Sequence, residues 1–135
     1  MAYNVLIVDD SEIMRKIVAR MLDLTQLPWG EVHHAGNGQE ALQIAANNRL
    51  DLALVDLSMP IMNGVELIKR FRTNPATANV GIIVVSTEGS ESRIEAIKQL
   101  GVGFIHKPIR PHGLRQAILE RLGGSDAPQN AGSAA

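Results

Sequence analysis

The stretch that decides the fold is residues 51–64, which read Asp-Leu-Ala-Leu-Val-Asp-Leu-Ser-Met-Pro-Ile-Met-Asn-Gly. Its short apolar run, residues 52–55, is bounded by polar and turn-forming residues and predicts a strand buried on both faces. Asp56 then ends a central strand, at the edge where open parallel sheets place their chemistry. Taken alone, Asp56 fits an ordinary strand-end carboxylate better than a functional one. The rest of the chain has to decide between the two.

Similar apolar runs alternate with helical patterns on either side of this stretch. Residues 5–8 end in Asp9-Asp10, residues 80–85 end at Ser86, and residues 103–106 lead to Lys107. A weaker, more polar strand is expected over residues 31–35, at the sheet edge. The pattern predicts five strands alternating with five helices. Because crossovers between parallel strands are short and right-handed, this order predicts a doubly wound parallel α/β fold.

The first helix shows a long apolar stripe. Its members recur at helical spacing and predict one buried face: Ile13, Met14, Ile17, Val18, Met21 and Leu22. Arg15 lies off that stripe. We expect Trp29 to be an isolated aromatic in a loop, and His33 and His34 to alternate on a strand, where they cannot bind one metal.

Length and composition indicate one domain over residues 1–122 and a flexible tail over residues 123–135, which is rich in Gly, Ser, Ala, Asn and Pro. The net charge of -1 gives no basic surface for nucleic acid. The absence of cysteine excludes disulfides and thiolate chemistry. No apolar segment predicts membrane insertion, so we expect a cytoplasmic protein.

Polar side chains follow four of the predicted strands. Because the carboxyl ends of parallel strands share one edge, we expect Asp9, Asp10, Asp56, Ser86 and Lys107 to converge. Three adjacent carboxylates repel one another unless a cation intervenes, and Lys107 supplies only one positive charge. An oxygen-seeking divalent ion is implied, with Mg²⁺ the natural candidate. A metal, a lysine and a hydroxyl around a nucleophilic carboxylate favour phosphoryl transfer.

Five motifs, in order, resemble the receiver domain of two-component response regulators, the CheY-like family. The resemblance covers residues 3–122 and rests on Val8-Asp9-Asp10-Ser11, residues 35–42, residues 56–64, Val85-Ser86-Thr87 and Lys107-Pro108. It implies a flavodoxin-like sheet with strand order 2-1-3-4-5.

The resemblance also implies roles for single residues. Asp56 corresponds to the phosphoacceptor, and Mg²⁺ ligands would be Asp9, Asp10, Asp56 and the backbone carbonyl of Ser58. Ser86 resembles the switch hydroxyl, Lys107 the residue that pairs with the phosphoryl group, and Phe104 the aromatic that turns inward with Ser86. The Lys107-Pro108 bond is cis in the family.

The family's partners are a sensor histidine kinase or a histidine phosphotransfer protein, and a downstream protein bound through the fourth helix, last strand and fifth helix. We expect no multiple-turnover enzyme. With no effector domain after Leu122, output is expected through protein contacts. Two outputs remain open: chemotaxis, which Ser86-Thr87-Glu88-Gly89 faintly favours, and a relay intermediate or regulator of a partner enzyme.

Two rival functions use the same residues. Residues 36–41 fit the G-x-G-x-x-A pattern of a small nucleotide-binding domain, and Asp56 lies where a ribose-binding acid would, but Asp9, Asp10 and Lys107 then have no role. A phosphatase of the haloacid-dehalogenase type would need a second carboxylate two residues after its nucleophile. Ser58 occupies that position.

Overall fold

The computed structural model describes residues 2–57, 59 and 62–122, in which strands and helices alternate along the chain. The strands are β1 (Tyr3–Val8), β2 (Trp29–Ala35), β3 (Leu52–Asp56), β4 (Gly81–Ser86) and β5 (Gly103–His106). The helices are α1 (Glu12–Leu24), α2 (Gly38–Asn47), α3 (Gly64–Thr73), α4 (Glu91–Lys98) and α5 (Pro111–Arg121). Ser58 and the tail over residues 123–135 lie outside the described residues, so the predictions made for them stay predictions. Within the described ranges, no helix combines the length and the apolar composition that crossing a membrane requires.

The five strands form one parallel sheet in the order β2-β1-β3-β4-β5, which confirms the predicted fold. In the strand register, Val8 lies beside Val55, Asp56 beside Val85, and Ser86 beside His106. The carboxyl ends of these strands therefore lie along one edge of the sheet.

A hydrophobic core lies on each side of the sheet. Ala53 and Val55 of β3 face the core covered by α2, α3 and α4, whereas Leu52 and Leu54 face the core covered by α1 and α5. Each of these four side chains is at most 2% exposed. Burying a valine or leucine side chain in this way stabilises a fold by about 1.5–3 kcal/mol. A continuous apolar run is therefore the pattern that a central strand requires.

Helix α1 buries a narrower face than its apolar stripe predicts. Val18 and Leu22 are buried against the sheet, but Ile13 is 72% exposed and Ile17 is 42% exposed. The prediction of one buried face is wrong for these two isoleucines, because only the part of the helix that faces β1 and α5 is covered. Ile13, Ile17 and Met21 instead line an open apolar groove.

Trp29 does not lie in a loop, and this prediction is also wrong. Strand β2 starts at Trp29 because its backbone pairs with Tyr3 of β1. The indole nitrogen donates to the carbonyl oxygen of Leu22 at 2.8 Å, and the ring meets Tyr3 edge to face at 6.2 Å. Trp29 thus ties the end of α1 to the start of the sheet.

Candidate functional site

Asp9 follows β1 directly and is held from several directions. Its backbone N–H donates to the carbonyl oxygen of Ala35 at 3.0 Å, and its Oδ1 accepts from the backbone N–H of Ser11 at 2.9 Å. Ser11 also caps α1, since its hydroxyl accepts from the N–H of Met14 at 3.2 Å. Asp9 is only 6% exposed, whereas Asp10 beside it is exposed.

Asp56 ends β3 beside the side chain of Lys107, which follows β5. The Lys107 Nζ lies 3.7 Å from Oδ1 of Asp56, and the two side chains are 23% and 12% exposed. An ion pair that is this well shielded is screened less by salt than a pair on the open surface. The predicted nucleophile and the predicted phosphate-pairing cation therefore lie together.

The three carboxylates that the sequence singled out form one cluster. Asp9, Asp10 and Asp56 each offer a carboxylate oxygen, and these three oxygens lie within 4.8 Å of one another. Burial raises the pKa of Asp9, and the N–H of Ser11 and the charge of Lys107 offset this only in part. Such a set of hard oxygen donors fits Mg²⁺, which uses a few carboxylates and keeps several of its waters. The cluster is thus suited to a divalent cation.

Ser86 lies at the end of β4 and is buried. Its hydroxyl accepts from the backbone N–H of Glu88 at 3.0 Å, and its carbonyl oxygen accepts from the N–H of Lys107 at 2.8 Å. Phe104 is half-buried in β5, in register with Val84, and packs against the core under α2, α3 and α4. The Lys107-Pro108 bond is cis, as the resemblance implies. The switch roles of Ser86 and Phe104 stay predictions.

The glycine pattern that suggested nucleotide binding has a packing explanation. A Cβ on Gly38 would lie 2.7 Å from side-chain atoms of Met62, which is buried. In a dinucleotide site, the corresponding glycine lets the backbone approach the pyrophosphate. Because Met62 already occupies that space, the pattern reflects how the segment after Asp56 packs on α2.

Sequence reasoning missed two cationic side chains near the site. Arg15 is half-buried, and its Nη1 donates to the backbone carbonyl oxygen of Asp9 at 2.6 Å. Arg93 of α4 pairs through Nε with Oε1 of Glu88 at 3.0 Å. Spacing gives no signal for either, because Lys16 beside Arg15 has the same charge and is exposed.

A large cavity lies elsewhere. It measures about 760 Å³ and lies at the opposite edge of the sheet, beside Asp51, Gly81 and Arg121. None of the predicted site residues lines it. Electrostatics and geometry instead identify the acidic cluster as the candidate site, because its three carboxylates suit a small cation.

A parallel sheet of this strand order, with a carboxylate cluster and a lysine at its carboxyl edge, places the chain in the doubly wound α/β class. The family model of the response regulator receiver domain matches residues 5–119. The chain belongs to this family, whose receiver domains are generally non-enzymatic signalling domains, although methylesterases such as that of Geobacillus kaustophilus carry one too.

Several relatives are chemotaxis proteins. The CheY homolog of Campylobacter jejuni is 35% identical over 122 residues, which cover 89% of this chain and 92% of the relative. CheY1 of Helicobacter pylori is 33% identical over 125 residues, covering 91% and 99%. The crystallised CheY4 of Vibrio cholerae is 32% identical with a TM-score of 0.79, covering 90% of this chain and 100% of that one. The chain is therefore similar to CheY proteins over nearly their whole length.

Proposed function

We propose that the protein is a cytoplasmic response regulator that accepts a phosphoryl group on Asp56 from a phosphohistidine of a sensor kinase or phosphotransfer protein. The observation that carries the proposal is the Asp56–Lys107 pair at 3.7 Å beside the carboxylates of Asp9 and Asp10. A carboxylate oxygen of Asp56 attacks phosphorus, and the P–N bond to the imidazole breaks. The electron pair stays on the imidazole nitrogen, and the new acyl phosphate is later hydrolysed to inorganic phosphate.

Lys107 is proposed to pair with the phosphoryl oxygens as charge develops on them. Mg²⁺ would be held by Asp9, Asp10 and Asp56, with the backbone carbonyl of Ser58 as a further ligand, and supplies positive charge to the transferring group. Asp9 and Asp10 position that charge and take no covalent part. The protein resets by losing the phosphoryl group, so turnover on phosphate esters is not expected.

The proposed switch starts at Ser86. If its hydroxyl turns to donate to a phosphoryl oxygen, the N–H of Glu88 loses the acceptor that it has now. Glu88 in turn holds the start of α4, since its carboxylate accepts from the N–H of Ser90 and pairs with Arg93. Movement of Ser86 therefore reaches α4, and Phe104 turning inward would change the α4–β5–α5 face that a downstream protein binds.

Phosphorylation is proposed to bias an equilibrium that exists beforehand. Shifting a population from 1:99 to 99:1 needs about 5.5 kcal/mol of differential interaction. One charge-assisted pair with Lys107 and one hydroxyl bond from Ser86 contribute about 2–4 kcal/mol. The active form is therefore already populated in the unphosphorylated protein.

The exposed part of α1 suits the docking of the phosphoryl donor. Ile13 and Ile17 are exposed one and two turns after Asp10, so they lie beside the acidic edge of the sheet. Exposed apolar patches of this kind mark interaction sites. Lys16 and Arg20 line the same groove and would pair with acidic residues of a partner. The proposed occupant is a helix of the domain that carries the phosphohistidine.

Chemotaxis is the output that we propose first, because the similar proteins from Campylobacter and Helicobacter are named chemotaxis proteins. The alternative is a relay intermediate or a regulator of a partner enzyme. Tighter binding of the phosphorylated than of the unphosphorylated protein to a flagellar motor switch protein supports chemotaxis, whereas transfer of its phosphoryl group onward to a second phosphotransfer protein supports a relay.

The central test is incubation with acetyl phosphate and Mg²⁺, followed by mass spectrometry of the intact protein. The wild type is expected to gain one phosphoryl group and Asp56→Asn none. Asp51→Asn is the matched control, because Asp51 precedes the same strand at its opposite end and should label like the wild type. Labelling of Asp56→Asn at the wild-type level, or multiple turnover on a phosphate ester, would contradict the proposal.

A further inference from the structure

Arg15 lies at the end of the first turn of α1 and makes one short polar contact with the acidic site. Its Nη1 donates to the backbone carbonyl oxygen of Asp9 at 2.6 Å. No ion pair of the described residues involves Arg15, and its Nε is buried without a hydrogen-bond partner. A half-buried guanidinium costs desolvation free energy, and buried charges normally have carboxylate partners. The hydrogen bond to the Asp9 carbonyl is therefore the contact that offsets the cost of half-burying the Arg15 guanidinium.

The bonded carbonyl belongs to the peptide unit that joins Asp9 to Asp10. The preceding peptide is fixed as well, because the N–H of Asp9 donates to Ala35 at 3.0 Å. One carboxylate oxygen of Asp9 accepts from Ser11 at 2.9 Å. With the Arg15 bond, the backbone of Asp9 is held on both sides and its side chain is held at Oδ1, so the directions of both carboxylates depend on these contacts.

The surroundings hold Arg15 in this place. Its Nη1 lies 3.5 Å from the point that a Cβ on Gly36 would occupy, so it packs against the turn after β2. The N–H of Gly36 donates to Oε1 of Glu40 at 2.7 Å, which fixes that turn. On the other side of the acidic cluster, Lys107 pairs with Asp56. The two cations thus have different contacts: Lys107 meets a carboxylate, and Arg15 meets a backbone carbonyl.

We infer that Arg15 is a positioning residue for the metal site: its hydrogen bond to Asp9 holds the Asp9-Asp10 peptide so that both carboxylates serve one Mg²⁺. The inference rests on the proposed function, in which the acidic cluster holds that ion. Groups that orient metal ligands typically change metal affinity by about 10- to 100-fold when they are removed.

The direction in which the Mg²⁺ affinity changes in an Arg15 variant distinguishes a positioning role from a purely electrostatic one. Removing a positive charge near three carboxylates strengthens cation binding if the charge acts through space. Losing the orientation of Asp9 and Asp10 weakens it. A folded Arg15 variant that binds Mg²⁺ more weakly therefore cannot be explained by the lost charge.

Titration calorimetry with Mg²⁺ tests the inference on the full chain. Arg15→Met is expected to weaken Mg²⁺ binding by about tenfold. Arg15→Lys, which keeps a charged donor, should recover part of the loss. Arg70→Met is the matched control, because it removes the same charge from an exposed pair with Glu66, and its Mg²⁺ affinity should equal the wild type. Thermal unfolding without Mg²⁺ checks that each variant is folded, and Arg15→Gln replaces Arg15→Met if the latter is not.

A second measurement needs no metal. In Mg²⁺-free protein, the amide resonance of Asp10 reports on the peptide whose carbonyl accepts from Arg15, so it should shift in Arg15→Met and not in Arg70→Met. An unshifted Asp10 amide, or Mg²⁺ affinity in Arg15→Met equal to or tighter than the wild type, overturns the inference. Failure of the wild type to bind Mg²⁺ while Asp10 shifts as expected overturns the proposed metal site and with it the role of Arg15 there, although the Arg15–Asp9 contact stands.

Discussion

The carbonyl oxygen of Asp56 lies 2.6 Å from the point that a Cβ on Gly64 would occupy. The Cα of Leu57 is 2.9 Å from the same point, and the N–H of Gly64 donates to the carbonyl oxygen of Leu57 at 3.0 Å. Helix α3 therefore begins directly against the end of β3. Gly64 is required here for close approach, and the contact fixes the backbone of the predicted phosphoacceptor.

Replacing Gly64 by alanine is expected to lower the free energy of unfolding by about 1–3 kcal/mol, since the methyl group must displace backbone atoms. Labelling of Asp56 by acetyl phosphate should also slow, because Asp56 itself is displaced. Urea unfolding measures the first effect. Gly113→Ala is the control: no atom lies within 4 Å of its added Cβ, and alanine within α5 should stabilise the protein by about 0.5–1 kcal/mol. Equal stabilities of the two variants would show that the close approach is wrong.

Asp9 should make the stability of the Mg²⁺-free protein depend on pH. Burial raises the pKa of Asp9 in the folded protein, so between its ordinary value near 4 and the raised value the folded state binds more protons than the unfolded state. Stability from this group therefore falls as pH rises through that window. In EDTA, Asp9→Asn is expected to be more stable than the wild type at pH 7, and the difference should shrink as the pH approaches 4.

Urea unfolding at several pH values measures this difference. Mg²⁺ should reverse the order of stabilities, because an ion that binds the folded wild type stabilises it by mass action, and Asp9→Asn lacks a ligand. Identical pH dependence of the two proteins would show that burial of Asp9 does not act on folding.

The sheet was predictable because the sequences of its central strands fit few structures other than a buried strand. Leu52 to Val55 form a run that is too short for a helix and apolar on both faces, and only a strand between two layers buries it fully. Because the carboxyl ends of parallel strands share one edge of the sheet, Asp9 and Asp56 are then predicted to lie together. Sequence order was enough because each of these residues lies at the carboxyl end of a strand.

The contacts and the exposure of single α1 side chains were not predictable, because they depend on how the helix is rotated about its axis. Arg15 and Lys16 have similar sequence context, yet only Arg15 points under the end of β1 and bonds to Asp9. Likewise, Ile13 and buried Val18 belong to the same wide apolar stripe, but the stripe does not say how much of the helix the sheet covers. These outcomes depend on packing between elements that are far apart in the chain.

Lys107 is expected to affect metal binding and phosphoryl transfer in opposite directions. Its charge favours the ionised form of Asp9, and it lies 3.7 Å from Asp56. Lys107→Met should strengthen Mg²⁺ binding by roughly threefold, because a competing cation is lost. It should slow labelling by acetyl phosphate by about a hundredfold, because the phosphoryl oxygens lose a fixed positive group. Calorimetry and mass spectrometry measure the two effects, and Lys98→Met, an exposed lysine of α4, should change neither. If Lys107→Met weakened Mg²⁺ binding and slowed labelling together, Lys107 would instead be required for the fold of the site.

Replacing Ile13 should slow phosphorylation by a protein donor more than phosphorylation by acetyl phosphate. At 72% exposure it contributes little to the core, so Ile13→Asp is expected to fold normally. Its carboxylate would lie in the groove where the donor helix is proposed to dock, and desolvating a charge against an apolar helix face is costly. Labelling by a phosphorylated phosphotransfer protein that labels the wild type should therefore fall at least tenfold relative to labelling by acetyl phosphate. Leu24→Asp is the matched control, because Leu24 is 50% exposed on the same helix but lies about 16 Å further along its axis, away from Asp10. An equal fall for both variants would point to a general effect of charge on α1, and no fall for Ile13→Asp would remove α1 as the donor surface.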